Sequence, residues 1–382
     1  MSYRLKPARP AADELRRVVR KQLDLAATEL TLAGRRPDPQ SVHEARRHIK
    51  KARAALRLVS ATRKVAKRSR KLRRAARLLA PIADAEAVQR AFDELCRTGA
   101  AAVAPSAADA IRRHLTDALA VVDRRAADGQ TLERVGRRLQ KERRRANRLS
   151  LDGDEFALVA PGFERTVRRS GCAMKRALAN PTASHYHAWR RRAKDHWLQV
   201  RLLDARCQGR LAREAERLAQ LDVALGACHD LGMLAARLEE GLTLARPDLA
   251  AVLRLIRREQ QRRRHEAAAL GAVIYGETPR EATERAGRAW CGPGASGVSP
   301  LAVEDESSRD TLLNSSGHVP HTPAWERFEK RTILVEKRRK AVARRATSID
   351  ERALISTGTS TDAASAEDRA RYRGMTSELR RR

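Results

Sequence analysis

Aromatic residues are scarce: Phe, Trp and Tyr together make up 3% of the 382 positions. Proteins that hold single-stranded nucleic acid stack bases on aromatic platforms, and few are on offer here. A polyanion without bases needs none. Cysteines number five, at Cys96, Cys172, Cys207, Cys228 and Cys291, with no C-x-x-C pair. The odd count and long gaps support neither a disulfide framework nor a zinc site. They read as small apolar residues of a reducing compartment. No run of 18 apolar residues occurs, and the opening MSYRLKPARPAADELRRVVR has no apolar core of a signal peptide. The expectation is a cytoplasmic chain without a membrane span. Also missing are a Walker A loop, G-x-S-x-G, H-E-x-x-H and paired carboxylates at a meaningful spacing. We therefore expect no enzyme activity, no cofactor and no metal.

Charge of one sign is what the chain has in excess. Lys and Arg number 80 against 47 Asp and Glu, a net charge of +33. Such an imbalance describes partners rather than fold, and it points to a phosphate-rich polymer or an anionic surface. Hydrophobic residues reach 42%, enough for a packed core. Ala, Leu, Arg and Glu dominate, all good helix formers. From residue 11 to about 275, apolar residues recur every three or four positions without strand-like alternation. Breaks near Gly34–Pro39, Pro81, Gly99–Pro105, Gly153, Pro161, Asn180–Pro181, Gly209 and Pro247 predict about eight helices. Beyond Tyr275, stretches such as CGPGASGVSPLAVEDESSRD lose periodicity. Residues 276–382 are expected to be a disordered tail, with one isolated basic helix over Ala324–Arg345.

The helical region repeats itself. VHEARRHIKKARAALRLV (42–59) and YHAWRRRAKDHWLQVRLL (186–203) stand 144 residues apart and share six of 18 positions. These are His43/His187, Arg46/Arg190, Arg47/Arg191, Lys50/Lys194, Arg57/Arg201 and Leu58/Leu202. The same offset pairs Asp38 with Thr182, two N-cap residue types beside prolines. Downstream, LLAPIADAEAV (78–88) echoes ALGACHDLGML (224–234), setting Asp84 opposite Asp230. Those aspartates read as caps or salt-bridge partners. Two related halves follow, over about 3–150 and 155–275.

His43, Arg46, Lys50, Arg53 and Arg57 are spaced 3, 4, 3, 4, so all five fall on one helix face. His187, Arg190, Lys194 and Arg201 repeat the pattern, with Trp197 in the place of Arg53. Like charges stacked along a face repel, and local folding has no use for them. Each His lies near its helix start, where spare N–H groups favour anions. If the halves pack about a pseudo-two-fold axis, the two faces line one basic groove. Guanidinium forks and Lys point charges suit phosphate oxygens. Other basic helices add candidates. GFERTVRRSGCAMKRAL (162–178) carries Arg165, Arg168, Arg169 and Lys175, of which Arg168 and Lys175 join the candidate set. LERVGRRLQKERRRANRL (132–149) carries Arg137, Arg138, Lys141, Arg144 and Arg145, and LRLIRREQQRRRHEAAAL (253–270) carries Arg258 and Arg262. The expected partner is inorganic polyphosphate. The alternative is weak, nonspecific nucleic-acid binding, which charge alone provides.

VHEARRHIKKARAALRLV resembles the signature of the CHAD domain, the conserved histidine α-helical domain, and YHAWRRRAKDHWLQVRLL resembles its second copy. The resemblance covers about residues 3–275. It implies an all-α fold of two pseudo-symmetric four-helix bundles with a basic central surface. It also implies polyphosphate binding, and association with polyphosphate granules. Carried over by position are His43, Arg46, Lys50, Arg53 and Arg57, then His187, Arg190, Lys194 and Arg201. The chain departs from the family where Ala83-Asp84 and His229-Asp230 stand in place of Arg-Asp, and where Trp197 stands in place of a basic residue. The E-x-E-x-K motif of the triphosphate-hydrolysing domain sometimes fused to this family does not occur.

Overall fold

The computed structural model describes residues 3–35, 39–59, 63–99, 103–127, 130–149, 151, 155–240, 242 and 244–291. All of them belong to one compact unit, Met1–Leu313. The described residues form helices joined by turns, with no strand among them. In order these are α1 (Ala11–Arg35), α2 (Pro39–Leu58), α3 (Arg63–Leu78), α4 (Ala80–Gly99), α5 (Pro105–Ala127) and α6 (Gln130–Ala146). Then come α7 (Glu155–Ala179), α8 (Ala183–Leu203), α9 (Ala212–Glu239), α10 (Arg246–Ile274) and α11 (Pro279–Cys291).

Helix faces follow the apolar spacing. On α3 the buried residues are Val65, Ser69, Leu72, Ala75 and Ala76; on α6 they are Leu132, Val135, Leu139, Glu142 and Ala146. Thr182 caps α8 as its sequence position predicts: its hydroxyl accepts from the His185 N–H at 3.2 Å. Its counterpart Asp38 lies outside the described residues. Gly209, at φ +79°, turns the chain between α8 and α9 in a conformation that favours glycine.

Three expectations change. Pro161 does not break its helix; α7 runs through it. The ring removes one interior hydrogen bond, while Leu158, Val159, Phe163 and Val167 around it are buried and hold the helix in place. Two breaks lie outside the expected set, one after Val59, where neither Pro nor Gly follows, and one after Ala127, where the turn pair Asp128-Gly129 is the available signal. The packed region also does not stop at Tyr275. Helix α11 buries Ala282, Ala286 and Ala289, and its Trp290 packs on Phe156 of α7 at a centroid distance of 5.6 Å. Its small apolar face hides in a segment dominated by Arg, Glu and Gly. The rest of the expected tail, 292–382, including the Ala324–Arg345 helix, lies outside the described residues.

The interior does not divide where the sequence halves do. One buried cluster draws on α1, α2, α3, the start of α4 (Ile82), α6, α7, α8, the first part of α9, the latter part of α10 (Ala267), and α11. The second is built by the latter part of α4 with α5, and the latter part of α9 with α10. Helices α4, α9 and α10 thus run from one cluster into the other, and each cluster takes helices from both halves. The halves also meet backbone to backbone. A Cβ on Gly162 of α7 would lie 1.8 Å from the Leu58 carbonyl oxygen of α2, so only glycine fits that approach. Gln199 of α8 donates to the Ala54 carbonyl of α2 at 3.2 Å, and the Leu5 N–H donates to Leu202 at 3.0 Å. This shared packing brings α2 against α8.

Candidate functional site

Helices α2 and α8 pack on each other, and so do α4 and α9. The two repeated signatures therefore meet instead of lying on remote surfaces. On α2, Arg46 donates to the Asp84 carboxylate at 3.0 Å and to the Ala80 carbonyl at 3.2 Å, both on α4. On α8, Arg190 lies 3.7 Å from Asp230 on α9. Equivalent arginines thus meet equivalent aspartates, and both aspartates are the salt-bridge partners expected of them.

Lys50 sits where the faces meet. Loss of water to its surroundings is the largest influence on its ammonium; next come the positive charges of Arg46, Lys194 and Arg190. Together, and against the opposing pull of Asp222, they lower its pKa from the ordinary 10.5 to about 7. Its side chain stays exposed to solvent. Its nearest charges are mostly cations, from its own helix and from α8. Lys194 is half-buried, pairs with Asp222, and lies 4.0 Å from the Trp197 ring centroid. Burial, more than any charge, pulls its pKa down as well.

The other end of α2 carries more cations and fewer acids. Burial, then Arg73, Arg191 and Arg192, holds Arg53 at about 10. Burial, then Arg53, Arg192, Arg169 and Arg73, holds Arg57 at about 9. Both stay charged at neutral pH. Arg57 pairs with Asp195 of α8, and Arg165 of α7 donates to the Arg57 carbonyl at 3.5 Å. Guanidinium groups from α2, α3, α7 and α8 thus gather near Arg57.

The histidines are not cations at neutral pH. Burial, and then Lys50, Arg90, Arg47 and Arg46, brings His43 to about 4. His187 and His229 sit Nδ1 to Nδ1 at 3.2 Å with ring centroids 4.3 Å apart. Both are lowered, chiefly by burial, His229 to about 4. One of the two neutral rings donates to the other.

Not every sequence candidate lies in this seam. Arg47 pairs with buried Glu44 on its own helix at 2.8 Å. Arg201 is 7% exposed, with its guanidinium 4.8 Å from the Trp197 ring centroid. It belongs to the packing more than to the surface, since Trp197 draws the cation inward. Arg168 is exposed and lies 3.7 Å from Glu164, and Lys175 is exposed further along α7. The α7 arginines that face Arg57 are Arg165 and Arg169, three and seven residues on from the buried Gly162. Arg73, Arg192 and Arg90 were missed. Arg73 stands opposite Arg217 at the repeat offset but outside the matched signature, Arg192 stands opposite His48 without matching it, and Arg90 belongs to a helix with no basic face. Among the described residues no three His, Cys, Asp or Glu side chains group to hold a metal ion, and no helix is long and apolar enough to cross a membrane. Cys207 and Cys228 are buried, Cys96 is intermediate and Cys172 exposed, all four as free thiols.

Residues 17–239 match a family model described as the CHAD domain. No curated protein shows a significant match. Among solved structures, PptA from Streptomyces chartreusis is similar at 19% identity and a TM-score of 0.44, over 73% of this chain and 99% of that one.

Proposed function

We propose that this chain, which belongs to the CHAD domain family, binds linear inorganic polyphosphate along the seam of α2 and α8. The observation that carries this reading is the crowding at Lys50. Its ammonium feels the charges of Arg46, Lys194 and Arg190, and their mutual repulsion has no structural use. An anion there restores the lost water and offsets the repulsion. Toward Arg57 the cations come to outnumber the carboxylates, which suits a polymer more than a single small anion. Arginines supply bidentate contacts and the lysines point charges. In this reading the chain holds its ligand without reacting it, and it resides in the cytoplasm or at polyphosphate granules.

Nonspecific nucleic-acid binding is the competing reading, since any strongly basic surface attracts a phosphate backbone. The composition disfavours it: aromatic residues, on which bases stack, make up only 3% of the chain. Competition decides. Labelled long-chain polyphosphate, bound at about 0.15 M salt, is challenged with equal charge of unlabelled polyphosphate, double-stranded DNA or RNA. Polyphosphate is expected to displace the label at lower phosphate concentration than either nucleic acid. Equal displacement by DNA overturns the assignment.

A further inference from the structure

The surface habit of this protein is to pair its arginines along the helix. Arg16 meets Asp13, Arg97 meets Glu94, Arg262 meets Glu259, and Arg280 meets Glu284, at 2.5–2.7 Å. Helix α3 breaks that habit. Nine of its sixteen residues are Lys or Arg and none is acidic. Only Arg68 and Lys71 reach a carboxylate, both at buried Glu142 of α6, at 3.8 and 3.6 Å. Arg63, Lys67, Arg70, Arg74 and Arg77 recur at spacings of 4, 3, 4 and 3, so they share one face, and all five are exposed. No acid among the described residues pairs with any of them. The face spans roughly 21 Å at 1.5 Å per residue. Arg73, also exposed, stands on the same helix. It lies close enough to Arg53, Arg57 and Arg192 to lower their proton affinity.

This basic face has no equivalent in the other half. The spacing that sets Asp84 opposite Asp230 sets residues 63–78 opposite 209–224, at the start of α9. That stretch carries Arg210, Arg213 and Arg217 against Glu214, Glu216 and Asp222. The duplication thus has nine cations and no acid on one side, and three of each on the other.

We propose that the exposed face of α3 is an outer track that carries the polyphosphate chain onward from the α2–α8 seam, with Arg73 as the junction. The proposal rests on the function proposed above. A flexible linear polyanion is the one occupant that can sit in the seam and follow a convex helix out of it. With no aromatic and no large apolar group on the five-residue face, it suits a phosphate chain better than bases or acyl chains. The track gives affinity a dependence on chain length: a ligand filling only the seam leaves α3 untouched, and a longer one gains further contacts as an intramolecular event.

The test uses the full chain and three variants: Lys67→Gln/Arg70→Gln/Arg74→Gln on α3, Arg246→Gln/Arg254→Gln/Arg257→Gln at exposed positions of α10, and Arg190→Gln/Lys194→Met in the seam. The first two remove equal charge from exposed positions. Binding of tripolyphosphate and of long-chain polyphosphate is measured for each at about 0.15 M salt, where distant exposed charges are largely screened. The α3 variant is expected to lose roughly tenfold or more in affinity for the long chain, and to keep its affinity for tripolyphosphate. The α10 variant is expected to change neither. Equal losses on both ligands from α3, equal losses from α3 and α10, or no loss from α3 overturns the track. The seam variant is expected to lose both ligands. If it loses neither while the α3 variant loses the long chain, the α2–α8 assignment fails and α3 is the primary site.

Discussion

Helices α2 and α8 carry the same signature and have come to different ends. On α8 the cations are neutralised one by one. Lys194 has Asp222 and the Trp197 ring, Arg201 is buried over that ring, and Arg190 faces Asp230. On α2 the equivalent of Trp197 is Arg53, and Lys50 has the opposing pull of Asp222 against three cations. The following helix extends the difference, basic on α3 and balanced at the start of α9. At the lysine and at the last arginine, one copy has turned its charge toward packing and the other has left it more open, whereas Arg46 and Arg190 each keep an aspartate. Matching residues in a repeat therefore need not carry matching roles.

The last basic residue of each face is where the comparison should break most visibly. Arg57 and Arg201 are equivalent in sequence. Arg201→Ala empties a buried, ring-stacked position and is expected to cost about 2–3 kcal/mol of stability. Arg57→Ala removes a partly exposed pair with Asp195 and is expected to cost less than about 1 kcal/mol while weakening polyphosphate binding. Urea unfolding with a binding isotherm for each variant reads both. Similar stability losses in the two variants would erase the distinction between the copies.

A smaller effect is expected at the equivalent lysines. Each of Lys50→Met and Lys194→Met removes a charged contact, expected to weaken long-chain binding about tenfold. Their effects on stability should have opposite signs. Lys194→Met leaves Asp222 without its ammonium, so its unfolding midpoint should fall. Lys50→Met relieves crowding, so its midpoint should rise. The pH dependence follows from the lowered pKa. Between about 7 and the ordinary 10.5, the unfolded chain holds a proton that folded Lys50 has released. Stability then rises with pH across that window, and the cost of the charge is fully present below it. The gain from Lys50→Met should accordingly be largest below about pH 7. Midpoints moving the same way in both variants would contradict the assignment.

The finest test is proton uptake. An anion beside Lys50 raises its pKa, so binding draws a proton from solution above about pH 7. Long-chain affinity should fall roughly threefold from pH 6.5 to 7.5 and more steeply beyond. Titration calorimetry in buffers of different ionisation enthalpy measures the uptake directly. Lys50→Arg, which keeps the charge at all these values, should flatten the profile. An unchanged profile in that variant would place the titrating group elsewhere.

The all-α fold, the repeat, the helix faces and the family were legible in the sequence, because each is a matter of spacing along one chain. Apolar residues every three or four positions define a helix face without reference to anything else, and two copies of His-x-x-Arg-x-x-x-Lys declare themselves at any distance. Tertiary structure alone decided which charges remain available. Arg57 and Arg201 are the same residue in the same motif, and only the neighbours Asp195 and Trp197 separate a surface contact from a buried one. Arg73 and Arg192 entered the site through proximity, from positions outside the six matches of the repeated signature. Helix α11 stayed hidden because alanines are apolar only once something packs on them. Spacing determines where a side chain points, whereas its pKa, exposure and partners depend on what the rest of the chain brings to meet it.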